Sequence, residues 1–214
     1  MQTTMSRSVE VLPHPASRRS TEVRQQEIVL TVLALAAERG VEAITTQAIA
    51  DFMGLTQGAV FRHFPNKEAI WAAVLDWLQG QLGEVFQPAP GASPLAEVTR
   101  IYEAYLALFA AYPSAPRLLF SDTFHHPYPR LHARLQAMVQ SCEGRLAQWL
   151  AEAAESGEVR VDLPPPVAAK LLLTTIQGLA FQSCVLGIVA DPVAAGRQLF
   201  PLYLAAIGAA KEKP

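Results

Sequence analysis

Apolar residues recur at helical spacing along most of the chain, and strand patterns are nearly absent. From about Thr21 to Arg39, Ile28, Val32 and Leu35 fall at i, i+4 and i+7. Val29, Leu33 and Ala36 form the adjacent stripe, so a wide apolar face results, and Gly40 supplies the stop. Two short helices are expected next, about Thr46 to Met53 and Gln57 to His63, then a longer one from about Lys67 to Phe86. The remainder reads as about Pro94 to Ala111, Ala115 to Phe124, Pro129 to Glu155, Pro165 to Ile188 and Pro192 to Ala209. Runs of Val, Ile and Thr alternating with polar residues do not recur. The prolines punctuate this pattern: Pro65, Pro88, Pro90, Pro94, Pro113, Pro116, Pro127, Pro129, Pro164 to Pro166 and Pro192 fall between helical segments. Pro201 lies inside the last apolar segment, where a kink or a boundary is expected. The fold class is therefore all-α, with about nine helices.

The last two helices are apolar on most sides. Ala168 to Ala190 is long enough to cross a bilayer and carries only Lys170 as a charge. Thr174, Thr175, Gln177, Gln182 and Ser183 interrupt it, so a buried core or an interface between copies is the better reading. Ala168 to Ile188 and Val193 to Ile207 would form an antiparallel pair that cannot cover itself. A four-helix interface with a second copy, of C2 symmetry, answers this; packing on the monomer core is the alternative.

Composition changes this picture little. With 214 residues, 51% hydrophobic and 17% charged, the chain can bury a core, and disorder is excluded as its main state. Cys142 and Cys184 are too few for a disulfide framework. The first twenty residues hold no apolar h-region and predict a flexible arm ending in Arg18-Arg19, with phosphate contact by that arm as a sharper option. A net charge of -2 argues, taken alone, against nucleic-acid binding. Residues 1–70 hold seven Lys/Arg and seven Asp/Glu, so no bulk basicity marks the N-terminal part.

The segment Thr46 to Pro65 nevertheless points to DNA. Ala50 is small where two helices would cross, and Gly54 can take the positive φ of a tight turn. Ile49, Leu55 and Val60 would plug the angle between them, while Thr56, and Thr45 or Thr46, can cap the helix starts. This is a helix-turn-helix. Its second helix would present its N-terminal residues to the major groove. Gln57 suits adenine or phosphate, Arg62 guanine or phosphate, and His63 phosphate. Gly58 and Ala59 permit close approach. Thr46, Gln47 and Thr56 sit at helix starts, and Lys67 in the first turn of the fourth helix can reach a phosphate.

The stretch Gly40 to Trp71 resembles the N-terminal domain of the TetR family of bacterial transcriptional regulators. The resemblance rests on Thr45-Thr46, Ile49-Ala50, Gly54-Leu55 and Phe61-Arg62-His63-Phe64-Pro65-Asn66-Lys67-Glu68. Specific motif covers about Thr21 to Trp71, and beyond that only the helical layout corresponds. One departure is Phe61, where the family usually has a Tyr whose hydroxyl often bonds a DNA phosphate; Phe61 cannot make that bond, though it can still pack under the recognition helix. The resemblance implies a flexible arm over 1–20, a DNA-binding domain over 21–67, and an effector-binding and dimerisation domain over 68–214. It further implies a cytoplasmic, nucleoid-associated homodimer that binds double-stranded operator DNA, most often as a repressor released by a small molecule. The fourth helix would join the two domains, with Trp71, Val74, Leu75 and Leu78 against their cores.

An effector pocket would come from the middle helices. Tyr102, Tyr105 and Phe109 share a face, and Phe120, Phe124, Tyr128, Trp149 and Phe181 could line the same cavity, which would favour a hydrophobic or aromatic compound. His125, His126 and His132 are the only cluster of possible metal ligands, but their spacing matches no known site, so no metal and no cofactor is expected. A DNA-binding protein of the same fold without a small-molecule effector, such as a nucleoid-occlusion factor, is the second reading. No triad signature, phosphate loop or helical His-Glu-x-x-His is present, and no enzyme is expected.

Overall fold

The computed structural model describes residues 21–124, 128–160 and 162–208. Nine α-helices and no strand occur among the described residues: α1 (Thr21–Arg39), α2 (Thr46–Phe52), α3 (Gln57–Phe61), α4 (Lys67–Val85), α5 (Pro94–Ala111), α6 (Ser114–Leu119), α7 (Pro129–Glu155), α8 (Pro165–Ala180) and α9 (Pro192–Ala206). Short 3-10 turns occupy Val41–Ala43 and Asp122–Phe124, and a π-turn over Phe181–Val185 prolongs α8.

Local chemistry explains most boundaries. The Thr45 hydroxyl accepts from the Ala48 N–H at 3.0 Å, Thr56 from Ala59 at 3.2 Å, and Asn66 from Ala69 at 2.8 Å. Asp191 accepts from the N–H groups of both Val193 and Ala194. Proline opens α5, α7, α8 and α9, where its missing N–H has no intrahelical partner to lose. Gly40 closes α1 at φ 82°.

Several boundaries differ from the sequence reading, three of them in kind. The sixth helix stops at Leu119 and resumes as a 3-10 turn, rather than running to Phe124. The eighth leaves α geometry at Ala180 and closes as the π-turn, with Gly187 at φ 68°, short of Ile188. The ninth continues through Pro201 without a boundary. The ring at Pro201 cannot bond the carbonyl four residues back, but that residue, Arg197, is exposed and water can replace the bond.

Two apolar cores are strung on one helix. The first gathers Ile28, Val32 and Leu35 of α1, Ile49 and Val60 of the helix-turn-helix, and Trp71, Val74 and Leu75 of α4. Leu118, Phe124, Leu131 and Leu135 close it from later in the chain. The second gathers Leu78, Leu82 and Phe86 with α5, α7, α8 and α9. The expected contacts of α4 are thus divided: Trp71, Val74 and Leu75 lie in one core and Leu78 in the other.

A buried ion pair fixes the end of α4. Glu97, 3% exposed, accepts from the Ala89 N–H at 2.6 Å and from Arg100 Nε at 3.0 Å. Arg100 also donates to the Val85 carbonyl (2.9 Å) and the Gln87 carbonyl (2.6 Å), placing its charge at the negative end of the helix. Between the cores, the Arg117 guanidinium on α6 donates to the Cys184 carbonyl in the π-turn and, at 3.3 Å, to the Ala37 carbonyl in the last turns of α1.

Candidate DNA interface and cavity

The turn between α2 and α3 is built as its residues require. Gly54 adopts φ 64°, a conformation that costs any other side chain, and the Leu55 N–H bonds the Ala50 carbonyl at 2.8 Å across the turn. Ala50, Ile49 and Val60 are fully enclosed, and Leu55 is half-buried. Between the helices, Gln57 Nε2 donates to the Thr46 hydroxyl at 2.7 Å. That bond pre-orders the first side chain of α3 and links the starts of the two helices.

The candidate DNA-contacting residues divide by exposure. Gln47, Thr56, Gln57, Gly58 and Arg62 are exposed, while Thr46, Ala59, His63 and Lys67 are half-buried. Gln47 is held by a 2.6 Å bond to the Asp51 carboxylate. Thr56 Oγ1 is occupied as the α3 cap. His63 faces partly inward: its Nδ1 is buried with no hydrogen-bond partner, and its carbonyl accepts from Gln25 of α1 at 3.0 Å. The Lys67 ammonium lies 5.5 Å from the centre of the Trp71 ring. The option of Phe61 packing under the recognition helix is not taken: it is 42% exposed, and Phe64 is buried. The reason is register. Phe61 shares a face with Gln57, whereas Phe64 follows the buried Val60 by four residues. Arg24 is paired with Glu27 at 2.9 Å. Arg18 and Arg19 lie outside the described residues.

In the second half of the chain a cavity of about 340 Å³ opens between α5, α6, α7 and α8. Tyr105 and Phe109 line it from α5 and Phe120 from the end cap of α6, three of the aromatic residues singled out in the sequence. Leu119, Leu135, Met138 and Val139 supply the rest of its apolar wall. Gln136 and Gln140 of α7, Gln177 of α8 and His132 supply the polar groups. Phe181 stands behind the wall, edge-on to Phe120 at 5.2 Å between ring centres.

The other aromatic candidates are placed elsewhere. Tyr102 stacks on Phe200 at 4.4 Å and donates to the Gly196 carbonyl at 3.1 Å, so it joins α5 to α9. Phe124 packs edge-on to Trp71 at 5.8 Å in the first core, and Tyr128 lies against that core as well. Trp149 stacks on Phe86 at 6.2 Å beneath the Arg145 guanidinium. In each case the helix turns the ring toward a neighbour that the sequence pattern did not name. The glutamines and the α7 aliphatics were missed because the sequence reading sought aromatic clusters. Their signal was the i, i+4 spacing of Gln136 and Gln140 beside Leu135 and Val139. Burial pushes the Tyr105 hydroxyl well above its ordinary pKa, helped by neighbouring Cys142, so it stays protonated at neutral pH. His125 and His126 lie outside the described residues, and no group of three metal-ligating side chains occurs among the described ones.

Exposed apolar residues lie on α8 (Val167, Leu171), on α9 (Leu199, Leu202) and in the segment that joins them (Val185, Leu186, Ile188). No helix of the described residues is long and apolar enough to cross a membrane.

An N-terminal helix-turn-helix joined by a shared helix to a second, cavity-bearing helical core defines a DNA-binding regulator. Residues 28–74 match the model of the bacterial regulatory proteins, tetR family. The chain is 29% identical to the nucleoid occlusion factor SlmA of Pasteurella multocida over 56% of this chain and 62% of that protein. It is 34% identical to the transcriptional repressor KstR2 of Mycolicibacterium smegmatis over 42% of each. These alignments span less than two thirds of either relative. The fold superposes on a TetR transcription regulator from Haloarcula marismortui with a TM-score of 0.75 at 21% identity, covering 87% of this chain and 98% of that one. The helix-turn-helix domain is thus that of the tetR family of bacterial regulatory proteins, and the helices beyond it follow the fold of a TetR transcription regulator.

Proposed function

We propose that the protein is a homodimeric transcriptional repressor whose hold on operator DNA is released by a small apolar effector. The observation that carries this reading is the division of α4: one face of one helix belongs to both cores. A change in the cavity-bearing core therefore reorients Trp71 and the helix-turn-helix packed on it. An effector that prefers the orientation unfit for DNA weakens DNA binding, and DNA weakens the effector by the same factor. In this reading residues 21–67 bind DNA and 68–214 bind the effector and the second subunit. Gln57, Gly58, Ala59 and Arg62 face base edges, and Thr46, Gln47, Thr56, His63 and Lys67 stay near phosphates. The exposed apolar face of α8 and α9 is covered by its copy, and the protein works where the DNA is, at the nucleoid.

Selection of bound DNA from random sequence tests the reading. The expected product is a two-fold symmetric site whose half-sites lie one helical turn, roughly 34–36 Å, or a multiple of it apart. Arg62→Ala is expected to weaken binding and relax one base position of each half-site, by about 1–3 kcal/mol. Unchanged selectivity removes Arg62 from the reading set. A second reading, a nucleoid-occlusion factor without a small-molecule effector, is favoured by the SlmA alignment, whose 123 residues reach well past the helix-turn-helix. It predicts many dispersed sites and no release of DNA by any ligand of the cavity.

A further inference from the structure

The cavity has a chemistry more specific than apolar. None of its lining side chains is a carboxylate, an ammonium or a guanidinium. The charged groups of α7 close by are engaged elsewhere. Arg134 is bonded to Asp76, Arg145 to the Phe86 carbonyl, and Glu143 to Lys170 at 3.4 Å. What the wall offers instead is the His132 imidazole and three carboxamides, Gln136, Gln140 and Gln177; none of the carboxamides makes a side-chain hydrogen bond among the described residues. Gln136 and Gln140 stand one turn apart on α7 at the solvent side, and Gln177 is half-buried on α8. A carboxamide both donates and accepts, so these groups satisfy a hydroxyl, ketone, ester, lactone or amide equally well. They cannot neutralise a full charge, and an ion carried into such a site loses its hydration without a counter-ion.

We infer that the cavity selects its ligand by charge: it takes an electrically neutral molecule whose apolar body lies against Tyr105, Phe109, Phe120 and Met138 and whose uncharged polar group meets the glutamines. Carboxylic acids, coenzyme A thioesters and quaternary ammonium compounds are rejected. This inference rests on the effector reading above, and its test separates the two. The site is tuned against charge and not merely open to grease, because glutamine, unlike leucine, leaves an unfilled donor and acceptor that a plain hydrocarbon cannot use.

The experiment uses the full chain and two matched probe series. One has a rigid body: 2-acetylnaphthalene, 2-naphthoate and 2-naphthyltrimethylammonium. The other has a flexible one: methyl decanoate, decanoate, decyltrimethylammonium and decanoyl-coenzyme A. Affinity is read by equilibrium dialysis, and release of the selected operator by fluorescence anisotropy. The neutral member of at least one series is expected to bind at least tenfold tighter than each of its charged partners and to release the DNA. Gln177→Leu is expected to reduce that preference by weakening the neutral ketone or ester alone. Gln148→Leu, on the same helix but outside the cavity and bonded to Glu152, is expected to leave the order unchanged. Equal or tighter binding of an acid, the thioester or the ammonium overturns charge selection while leaving the effector reading intact. Failure of every probe to bind overturns the effector reading and this inference with it.

Discussion

Leu202→Asp tests the symmetric interface most directly. Leu202 lies on the outer face of α9 and is 67% exposed in the single chain. With Leu171 and Leu199 it lines a shallow groove between α8 and α9. Burying a leucine completely is worth about 2 kcal/mol, so covering the exposed two thirds contributes about 1.3 kcal/mol. In a C2 interface every substitution appears twice, which doubles the loss to about 2.6 kcal/mol, nearly a hundredfold in the dimer dissociation constant. The carboxylate adds to this, because it must either keep its water or enter an apolar contact without a partner. Sedimentation velocity over a micromolar dilution series is the assay, with thermal unfolding to show that the fold survives. Leu30→Asp is the control: Leu30 on α1 is exposed to a comparable degree but lies away from this face. Wild type and Leu30→Asp are expected to sediment as dimers, and Leu202→Asp as a monomer with a folded spectrum. A Leu202→Asp protein that remains dimeric throughout, or a Leu30→Asp protein that dissociates as readily, refutes the placement of the interface.

Two further predictions address the joints between elements. Arg117→Met keeps the aliphatic stem but removes the bonds to the Cys184 and Ala37 carbonyls; half-exposed charged bonds of this kind are worth about 1 kcal/mol, read as a lower urea midpoint, and Arg117→Lys should not rescue it because one ammonium lacks the planar fork. An unchanged midpoint shows that the bridge contributes nothing. Glu158 links the end of α7 to the start of α5: burial pushes its carboxyl up, but the Ser93 and Ser156 hydroxyls and the Leu95 N–H overcome this and hold it below the ordinary 4.5. A depressed carboxyl stabilises the fold above its unfolded value and loses that contribution as the pH falls through its folded value. The melting-temperature gap between wild type and Glu158→Gln should therefore be constant near neutrality and shrink below about pH 4.5; a gap independent of pH rejects the linkage.

What the sequence disclosed depends on whether a feature is local. The helix-turn-helix was legible because each of its requirements falls on one residue type at one spacing: a small Ala50, a positive-φ Gly54, capping Thr56. Helix starts at Pro94, Pro129, Pro165 and Pro192 were legible for the same reason. The cavity was only half legible. Tyr105 and Phe109 are a turn apart on one helix, but whether Tyr102 faces the cavity or Phe200 depends on where α9 lies, and Gly196 lets α9 come close. A Cβ built at Gly196 would stand 2.2 Å from Leu106. Nor does helical periodicity reveal a π-turn. Phe181 to Val185 are about as apolar as the helix before them, and only the Leu186 N–H bonded to the Phe181 carbonyl five residues back, at 3.1 Å, shows that the helix has widened.

The neutral N-terminal charge balance acquires a meaning from the ion pairs. Of the four cations between residues 21 and 70, Arg24 is bonded to Glu27 and Arg39 to Glu38 at 3.3 Å. Arg62 and Lys67 make no ion pair among the described residues, and they stand on either side of the break between α3 and α4. The surface thus cancels its charge away from the recognition helix and leaves it uncancelled beside it. For a duplex docked on α3, long-range attraction from the described part of this surface is weak, since its two unpaired cations per subunit displace few counter-ions. Discrimination must then come from short-range contact, from a Gln57 held ready by Thr46 at the start of α3 and from Arg62, the residue that caps its end. A protein built this way wastes little affinity on the rest of the genome, and that is the useful consequence of a charge balance that by itself argued against DNA.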